Sequence, residues 1–330
     1  MHYRTGPSTQ HWAILTCAST MALAACTTGP APGNSTPTTT PSSATIVATT
    51  TQLGSIVTDI TTCAGGTTAT LMGPGDDPHE FALSSAQVAE LVRADLVVAN
   101  GLGLEESLDG ALSNAVADGG TLYEVAPNLE PLSYSDPATD EDDHEADDGH
   151  DHGPTDPHVL LDAGRAATAA ELIGTRIAEI TGEDDYLTCA ADVATQLRAT
   201  DSQVRDTLAT IPEDRRILIT DHEAYNYFAQ AYDFRVAGVV IPGGGTDAQP
   251  SSAELASLAG VIDRADVHAL FSNNALSPQV LESLAAEVGG DVAVVQLYTG
   301  SLGEPGSGAE TYSGMMLTNA QRIADALAEE

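Results

Sequence analysis

Hydrophobic residues along the chain follow two alternating patterns, which predict strands followed by helices. Short runs rich in β-branched residues predict strands, as at 46–51, and apolar residues three or four positions apart predict helices, as at 53–62. The strand at 95–99 is apolar at every position from Leu96 onwards, which is typical of a parallel sheet covered on both faces. The repeated order of strand and helix predicts an open α/β fold.

The same order continues in two groups of elements. The first group adds strands and helices at 67–72, 84–93, 105–116 and 121–125. The second group comprises elements at 216–220, 223–232, 234–241, 251–264, 268–271, 278–288, 292–297 and 310–328. In the helix at 84–93 we expect Val88, Leu91 and Val92 to face the core, because they lie on one helical face.

Two consecutive helical patterns separate these groups. The first covers 162–180, and after Gly182 the second runs from Glu183 to about Ala209. At about 1.5 Å per residue the second helix would be ~40 Å long, which is enough to cross a small domain. The sequence therefore predicts two open α/β lobes, at 46–182 and 211–330, which are joined by a long rigid helix at 183–210 and enclose a cleft.

The first 45 residues have the composition of an export signal and a tether. Residues 1–25 carry Arg4 and then a mostly apolar run too short to span a bilayer. The run ends in Leu-Ala-Ala-Cys26, the pattern of a bacterial lipoprotein cleavage site, in which the cysteine receives the lipid. The alternative is an ordinary secretory leader with a chance cysteine. Residues 26–45 are nearly all Thr, Pro, Ser, Gly and Ala, so we expect a tether to the bacterial cell membrane on its extracytoplasmic side.

Two cysteines remain in the body of the protein, Cys63 and Cys189. Outside the cytoplasm such a pair can persist as a disulfide, and one bridge is the only intramolecular option. The alternative is two buried free thiols, and the sequence does not decide between them.

The net charge of −37 and the sequence pI near 4.1 limit the partners of this chain. There is no lysine, and all basic residues are arginines. Such a surface repels nucleic acids and anionic membrane surfaces, so we exclude nucleic-acid binding. It attracts metal cations, although the acidity could also serve solubility in salty surroundings.

An acidic segment at 140–152 contains no apolar residue larger than alanine, and it predicts a disordered loop at about 136–155. Its imidazoles belong to His144, His150 and His152. Together with the surrounding carboxylates they are metal ligands without a fixed geometry, so we expect metal capture by this loop. The alternative is a solvated acidic linker.

Three other histidines, His79, His158 and His222, each follow a predicted strand, where ligands collect in open α/β sheets. The first two occur in the same Asp-Pro-His unit. We expect all three to bind one metal ion in the cleft, most favourably Zn(II), since Mn(II) usually draws more carboxylate ligands. Neighbouring carboxylates could orient the rings, namely those of Asp77, Asp156, Asp221 and Glu223.

At these residues the chain resembles the metal-specific solute-binding proteins of bacterial ABC importers, the zinc/manganese class. The resemblance covers about 46–327 and rests on the motifs at 75–81, 94–105, 156–162, 221–225 and 311–319. It implies two α/β lobes, ligation by the three histidines, and delivery of the metal to a permease that works with an ATPase. The acidic histidine loop and a histidine at 222 are typical of zinc members, with Mn(II) as the alternative. We expect a monomer that is not an enzyme and has no catalytic or cofactor-binding residues.

One position departs from the family pattern. The family usually places a carboxylate ligand in a motif that corresponds to 299–303, but this chain has Gly300 there. Water could complete the metal's coordination, or a nearby carboxylate could, with Glu80 and Glu304 as candidates. Three histidines with an open fourth position are also found in hydrolytic zinc enzymes, so a hydrolytic zinc enzyme is one competing hypothesis for the function. Some family members have been described as adhesins, so an adhesin is the other.

Overall fold

The computed structural model describes residues 44–134, 155–241, 243, 245–265, 267–289 and 292–328, which belong to one compact unit. The export signal, Cys26, nearly all of the tether, and the loop residues His144, His150 and His152 lie outside these ranges. Across the described ranges, no helix is both long enough and apolar enough to cross a membrane.

The first lobe is built on a parallel sheet of four short strands: β1 (Thr45–Ala48), β2 (Thr67–Thr70), β3 (Leu96–Ala99) and β4 (Leu122–Glu124). Their order is β2-β1-β3-β4. The central strand β3 is buried at every position, as the consecutive apolar residues predict. The connecting helices are α1 (Thr51–Cys63), α2 (Ser85–Arg93) and α3 (Asp109–Ala117).

Two long helices follow, α4 (Ala163–Thr181) and α5 (Asp185–Leu208). A short turn joins them, so they form an antiparallel pair. The Asp162 carboxylate caps α4 by accepting hydrogen bonds from the backbone N–H groups of Gly164 and Arg165. Gly174 allows the two helices to approach closely, because a Cβ atom there would lie 2.1 Å from the Cβ of Ala190. With 24 residues, α5 is about 36 Å long, close to the length that the sequence predicts.

The second lobe repeats the architecture of the first. Its strands are β5 (Ile217–His222), β6 (Arg235–Ile241), β7 (Ala269–Asn273) and β8 (Ala293–Leu297), in the order β6-β5-β7-β8 and all parallel. The helices are α6 (Asn226–Tyr232), α7 (Ser252–Ala265), α8 (Gln279–Val288) and α9 (Tyr312–Ala328).

One hydrophobic core extends through both lobes and the long helices. It includes Ile46 of β1, Val193 of α5, Phe228 of α6 and Met316 of α9. A shared core is close-packed and resists small displacements, so it fixes the spacing of the two sheets. The carboxyl ends of β3 and β5 therefore lie at a defined separation.

The predicted fold class, two open α/β lobes with a long connecting helix, is confirmed, and most element bounds agree within three residues. Two details were wrong. Val88 and Val92 of α2 are 41% and 52% exposed, and only Leu91 of the predicted trio is buried. The helix is rotated because the Gln87 side chain turns inward and donates to the carbonyl of Leu71.

The second correction concerns the helix predicted at 105–116. Residues Glu106–Leu108 form a 3-10 turn, and the α-helix begins only at Asp109. Directly before this turn, the buried Glu105 carboxylate accepts hydrogen bonds from the backbone N–H groups of Asn100 and Gly101, which holds the preceding loop in place.

A disulfide joins Cys63, the last residue of α1, to Cys189 near the start of α5. Their Cα atoms lie 5.7 Å apart, and the bridge spans 126 positions of sequence. Cross-linking residues so far apart removes many conformations from the unfolded chain, so the bridge stabilises the folded state.

We expect the paired substitutions Cys63→Ala and Cys189→Ala to lower the free energy of unfolding by about 2–5 kcal/mol, because the unfolded chain regains its loop entropy. Chemical denaturation followed by circular dichroism measures the change. Reduced wild-type protein should show a similar loss, while an equal stability of reduced and oxidised protein would contradict the role assigned to the bridge.

Candidate metal centre

The Asp-Pro-His unit recurs because it forms the same local turn at two places. Asp77 Oδ1 accepts a hydrogen bond from the His79 backbone N–H at 3.0 Å, and Asp156 Oδ1 accepts one from the His158 backbone N–H at 2.9 Å. A short carboxylate that bonds the backbone two residues on is an Asx turn, and the intervening proline restricts the backbone further. Each unit therefore presents its histidine from a backbone that is fixed locally.

Two of the three rings are also held by a carboxylate. His158 Nδ1 lies 2.9 Å from Asp156 Oδ1, and His222 Nδ1 lies 2.7 Å from Asp221 Oδ1. A carboxylate acceptor places the proton on Nδ1, so the lone pair of the neutral ring is on Nε2. Asp221 is itself held by the backbone N–H of Asn273 at the end of the neighbouring strand β7.

The three histidines converge on one point. One nitrogen from each ring lies within 4.8 Å of the others, and the Nε2 atoms of His79 and His158 are 3.3 Å apart. The ring centroids are separated by 5.2–5.9 Å. His158 and His222 are buried, while His79 is half-buried. Within the described ranges this is the single group of three or more histidine, cysteine or acidic side chains close enough to share a metal ion.

The environment keeps two of these rings neutral. Burial, with smaller contributions from the neighbouring His158 and His222, lowers the pKa of His79 to about 2. Burial also lowers the pKa of His158, although the Asp156 carboxylate opposes this shift. A neutral imidazole is the form that binds metals. His79 and His158 therefore need not lose a proton near neutral pH before an ion can bind.

The other two carboxylates that the sequence predicts as orienting groups, Asp77 and Glu223, form hydrogen bonds with groups other than a histidine ring. Asp77 bonds the backbone of His79 rather than its ring, and its Oδ2 accepts a hydrogen bond from Thr246 of the second lobe at 2.7 Å. Glu223 accepts from Asn226 and from the backbone N–H of Gly243. Of the four, only Asp156 and Asp221 contact a histidine ring.

Neither candidate for a fourth protein ligand joins the cluster. Glu80 and Glu304 are both exposed, and the described cluster contains only histidines. Gly300 is buried and lines the same small pocket as His79, His158 and His222. The pocket also includes Asn100 and Gln52, two polar residues that our sequence reasoning did not assign to the site.

Asn100 connects the end of β3 to the second histidine turn. Its Nδ2 donates to the carbonyl of Pro157 at 2.9 Å, and its backbone N–H donates to the buried Glu105 carboxylate at 2.8 Å. Burial raises the pKa of Glu105, while hydrogen bonds from Thr49, Asn100 and Gly101 oppose the shift. The sequence feature that could have drawn attention to Asn100 is the polar Asn-Gly pair directly after a strand that is buried on both faces.

Comparison with known proteins identifies what this arrangement resembles. The family model described as "Zinc-uptake complex component A periplasmic" matches residues 46–326. The chain is 27% identical over 257 residues to the manganese-binding lipoprotein MntA of Halalkalibacterium halodurans, which covers 77% of this chain and 79% of the relative. It is 28% identical over 264 residues to the zinc-binding protein TroA of Treponema pallidum, covering 78% and 80% of the two chains.

Solved structures show the same architecture. The periplasmic zinc-binding protein TroA from Treponema pallidum superposes with a TM-score of 0.77 at 25% identity, over 87% of this chain and 100% of that chain. A manganese-bound periplasmic metal-binding protein from Candidatus Liberibacter asiaticus gives a TM-score of 0.72 at 20% identity, over 86% and 99% of the chains, which shows a shared fold.

We expect Asp156→Asn and Asp221→Asn each to weaken binding of a divalent metal ion by roughly 10–100-fold, since one carboxylate oxygen orients the ring and the other anchors the carboxylate, and an amide supplies only one acceptor oxygen for the two contacts. Competition with a chelating dye measures the affinity. Glu223→Gln is the matched control, because it neutralises a carboxylate beside His222 that contacts no histidine ring. An equal loss in all three variants would show that general charge, rather than ring orientation, determines the affinity.

Proposed function

The chain belongs to the zinc-uptake complex component A periplasmic family, whose members are metal-binding substrate receptors of ABC importers and not enzymes, and from this we propose that it captures Zn(II) in the three-histidine cleft. The single observation that carries the choice of metal is the ligand set. Three imidazole nitrogens converge without a carboxylate among them in the described residues.

The chemistry of this set favours zinc over manganese. Imidazole binds Zn(II) well in tetrahedral sites, whereas Mn(II) is bound more readily by carboxylate and other oxygen ligands. Gly300, at the position where the family usually has a carboxylate, has no side-chain oxygen that could bind Mn(II). The competing candidate is Mn(II), which the names of several relatives support, including the MntA lipoproteins of Halalkalibacterium halodurans and Bacillus subtilis.

Delivery requires that the cleft opens, and several hydrogen bonds between the lobes would have to break. Asp77 Oδ2 accepts from Thr246, and the backbone N–H of Gly75 donates to Ser301 Oγ at 2.8 Å. Both bonds tie the His79 loop to the second lobe. We propose that the loop separates from the second lobe when the metal passes to the permease, and that the ATPase supplies the energy for import.

The remaining parts of the chain fit an envelope protein. We propose that Cys26 carries a lipid, that 26–45 tether the monomeric body to the outer face of the cell membrane, and that His144, His150 and His152 capture metal ions. Relatives named as metal ABC transporter substrate-binding lipoproteins, such as PsaA of Streptococcus mitis, support this placement.

The proposal predicts one tight zinc ion per chain that outcompetes manganese. His222→Ala should weaken zinc binding by at least about 100-fold, because it removes one of three ligands, each of which contributes several kcal/mol to metal binding. The purified body, residues 45–330, contains no tryptophan, so a chelating dye supplies the signal and elemental analysis gives the stoichiometry.

A variant without residues 140–152 separates the cleft from the acidic loop. It should keep its tight zinc ion and lose only weaker binding. If manganese displaces zinc from the wild-type protein at equal concentration, the Mn(II) alternative is correct. If tight binding vanishes with the loop but persists in His222→Ala, the cleft is not the metal site.

A further inference from the structure

Three buried tyrosines of the second lobe bond the backbone of the segment 156–163, which carries His158. They are Tyr227 and Tyr232 of α6 and Tyr312 of α9. Tyr227 donates to the carbonyl of Asp156 at 2.7 Å, and Tyr312 donates to the carbonyl of Leu160 at 2.7 Å. The hydroxyl of Tyr232 accepts a hydrogen bond from the backbone N–H of Ala163 at 3.3 Å. The second lobe thus holds the segment at its beginning, its middle and its end.

The beginning of this segment is held by further contacts from the same helix. Asn226 Nδ2 donates to Asp156 Oδ2 at 3.1 Å, and the Tyr227 hydroxyl also accepts from the backbone N–H of Leu132 at 2.8 Å. The carbonyl of Leu132 in turn accepts from the backbone N–H of Asp156 at 2.8 Å. A buried hydrogen bond is costly to break when no other partner replaces it, so these contacts resist separation of the segment from α6.

The first sheet contacts the segment through Asn100, whose side chain donates to the carbonyl of Pro157. This contact is made at one residue, next to the point where Tyr227 and Asn226 already hold Asp156. The contacts with the second lobe extend over the whole segment. We therefore expect the segment to follow the second lobe when the lobes separate, although it precedes the long helices in the chain.

The loop that carries His79 is attached differently. It follows β2 directly, and Phe81 packs against a separate core of the first lobe. Its bonds to the second lobe are the two described above, at Gly75 and Asp77. Gly75 is exposed and Asp77 is half-buried, so water can replace their partners when the cleft opens.

We propose that Tyr227, Tyr232 and Tyr312 are positioning residues of the metal site, which make His158 move with the second lobe. The proposal rests on the metal-receptor function above. His158 and His222 then form one rigid pair, and His79 is the ligand that the first lobe withdraws when the cleft opens. An ion left with two imidazoles is held less tightly, so withdrawal of His79 promotes its release.

Hydrogen exchange of the backbone amides, measured by mass spectrometry on the full-length protein, tests which loop follows which lobe. Exchange reports local opening of each segment separately. Removal of zinc should accelerate exchange in the peptide 73–81 at least about fivefold more than in the peptide 156–163, because only the first peptide loses its bonds to the second lobe.

The paired substitutions Tyr227→Phe and Tyr312→Phe remove two hydroxyls and keep both rings in the core. In zinc-free protein they should accelerate exchange in 156–163 by about fivefold, so that this peptide responds to zinc as 73–81 does. Thr246→Val removes the bond to Asp77 and should instead accelerate exchange in 73–81 alone.

Tyr225→Phe is the matched control. Tyr225 is also a buried tyrosine of the second lobe, and its hydroxyl shares a hydrogen bond with the hydroxyl of Thr299 in the same lobe. Its loss should leave exchange in 156–163 unchanged, even where thermal stability falls.

Equal acceleration of 73–81 and 156–163 on removal of zinc from the wild-type protein would overturn the proposal. Equal effects of the paired substitutions and of Tyr225→Phe on 156–163 would overturn the role of the hydroxyls. Either result leaves the receptor function intact, because zinc still alters exchange at the cleft. If zinc changes exchange in neither peptide, the cleft does not bind the ion and the proposed function itself fails.

Discussion

The site depends on holding three imidazoles close together with their metal-binding nitrogens directed at one point. Unrestrained rings would rotate and use those nitrogens for hydrogen bonds with water. The carboxylates of Asp156 and Asp221 prevent this for two rings by occupying Nδ1. The cost of burying those carboxylates is offset by further donors, such as Asn226 and the backbone of Asn273.

This local order is useful only if the lobes are positioned accurately. The shared core through α5 and α9 sets the distance between the sheets, and the disulfide fixes α1 against α5. Hydrogen bonds between the lobes then place the side chains at the strand ends. Gln52 donates to the carbonyl of Thr299, and the backbone N–H of Leu302 donates to the Thr51 hydroxyl. Packing determines the coarse geometry, and polar contacts determine the fine geometry.

The sequence predicted the fold class and brought the three histidines to attention because periodicity and the repeated Asp-Pro-His unit are local signals. It could not reveal the rotation of α2, which follows from the contact of Gln87 with Leu71. Nor could it reveal which way the Asn100 amide faces, since its partners are the carbonyls of Gly101 and Pro157, the latter 57 positions away. The roles of Asp77 and Glu223 were mistaken for the same reason, as spacing alone does not distinguish a backbone contact from a ring contact.

The two Asx turns have a consequence for how an importer could recognise a loaded receptor. Because the backbones of His79 and His158 are already restrained by Asp77 and Asp156, a bound ion would require little rearrangement of these loops. It would, however, introduce two positive charges among the three rings, inside a protein whose net charge is −37. The loaded and empty forms would then differ more in the electric field at the mouth of the cleft than in shape, and a permease could sense that field at a distance.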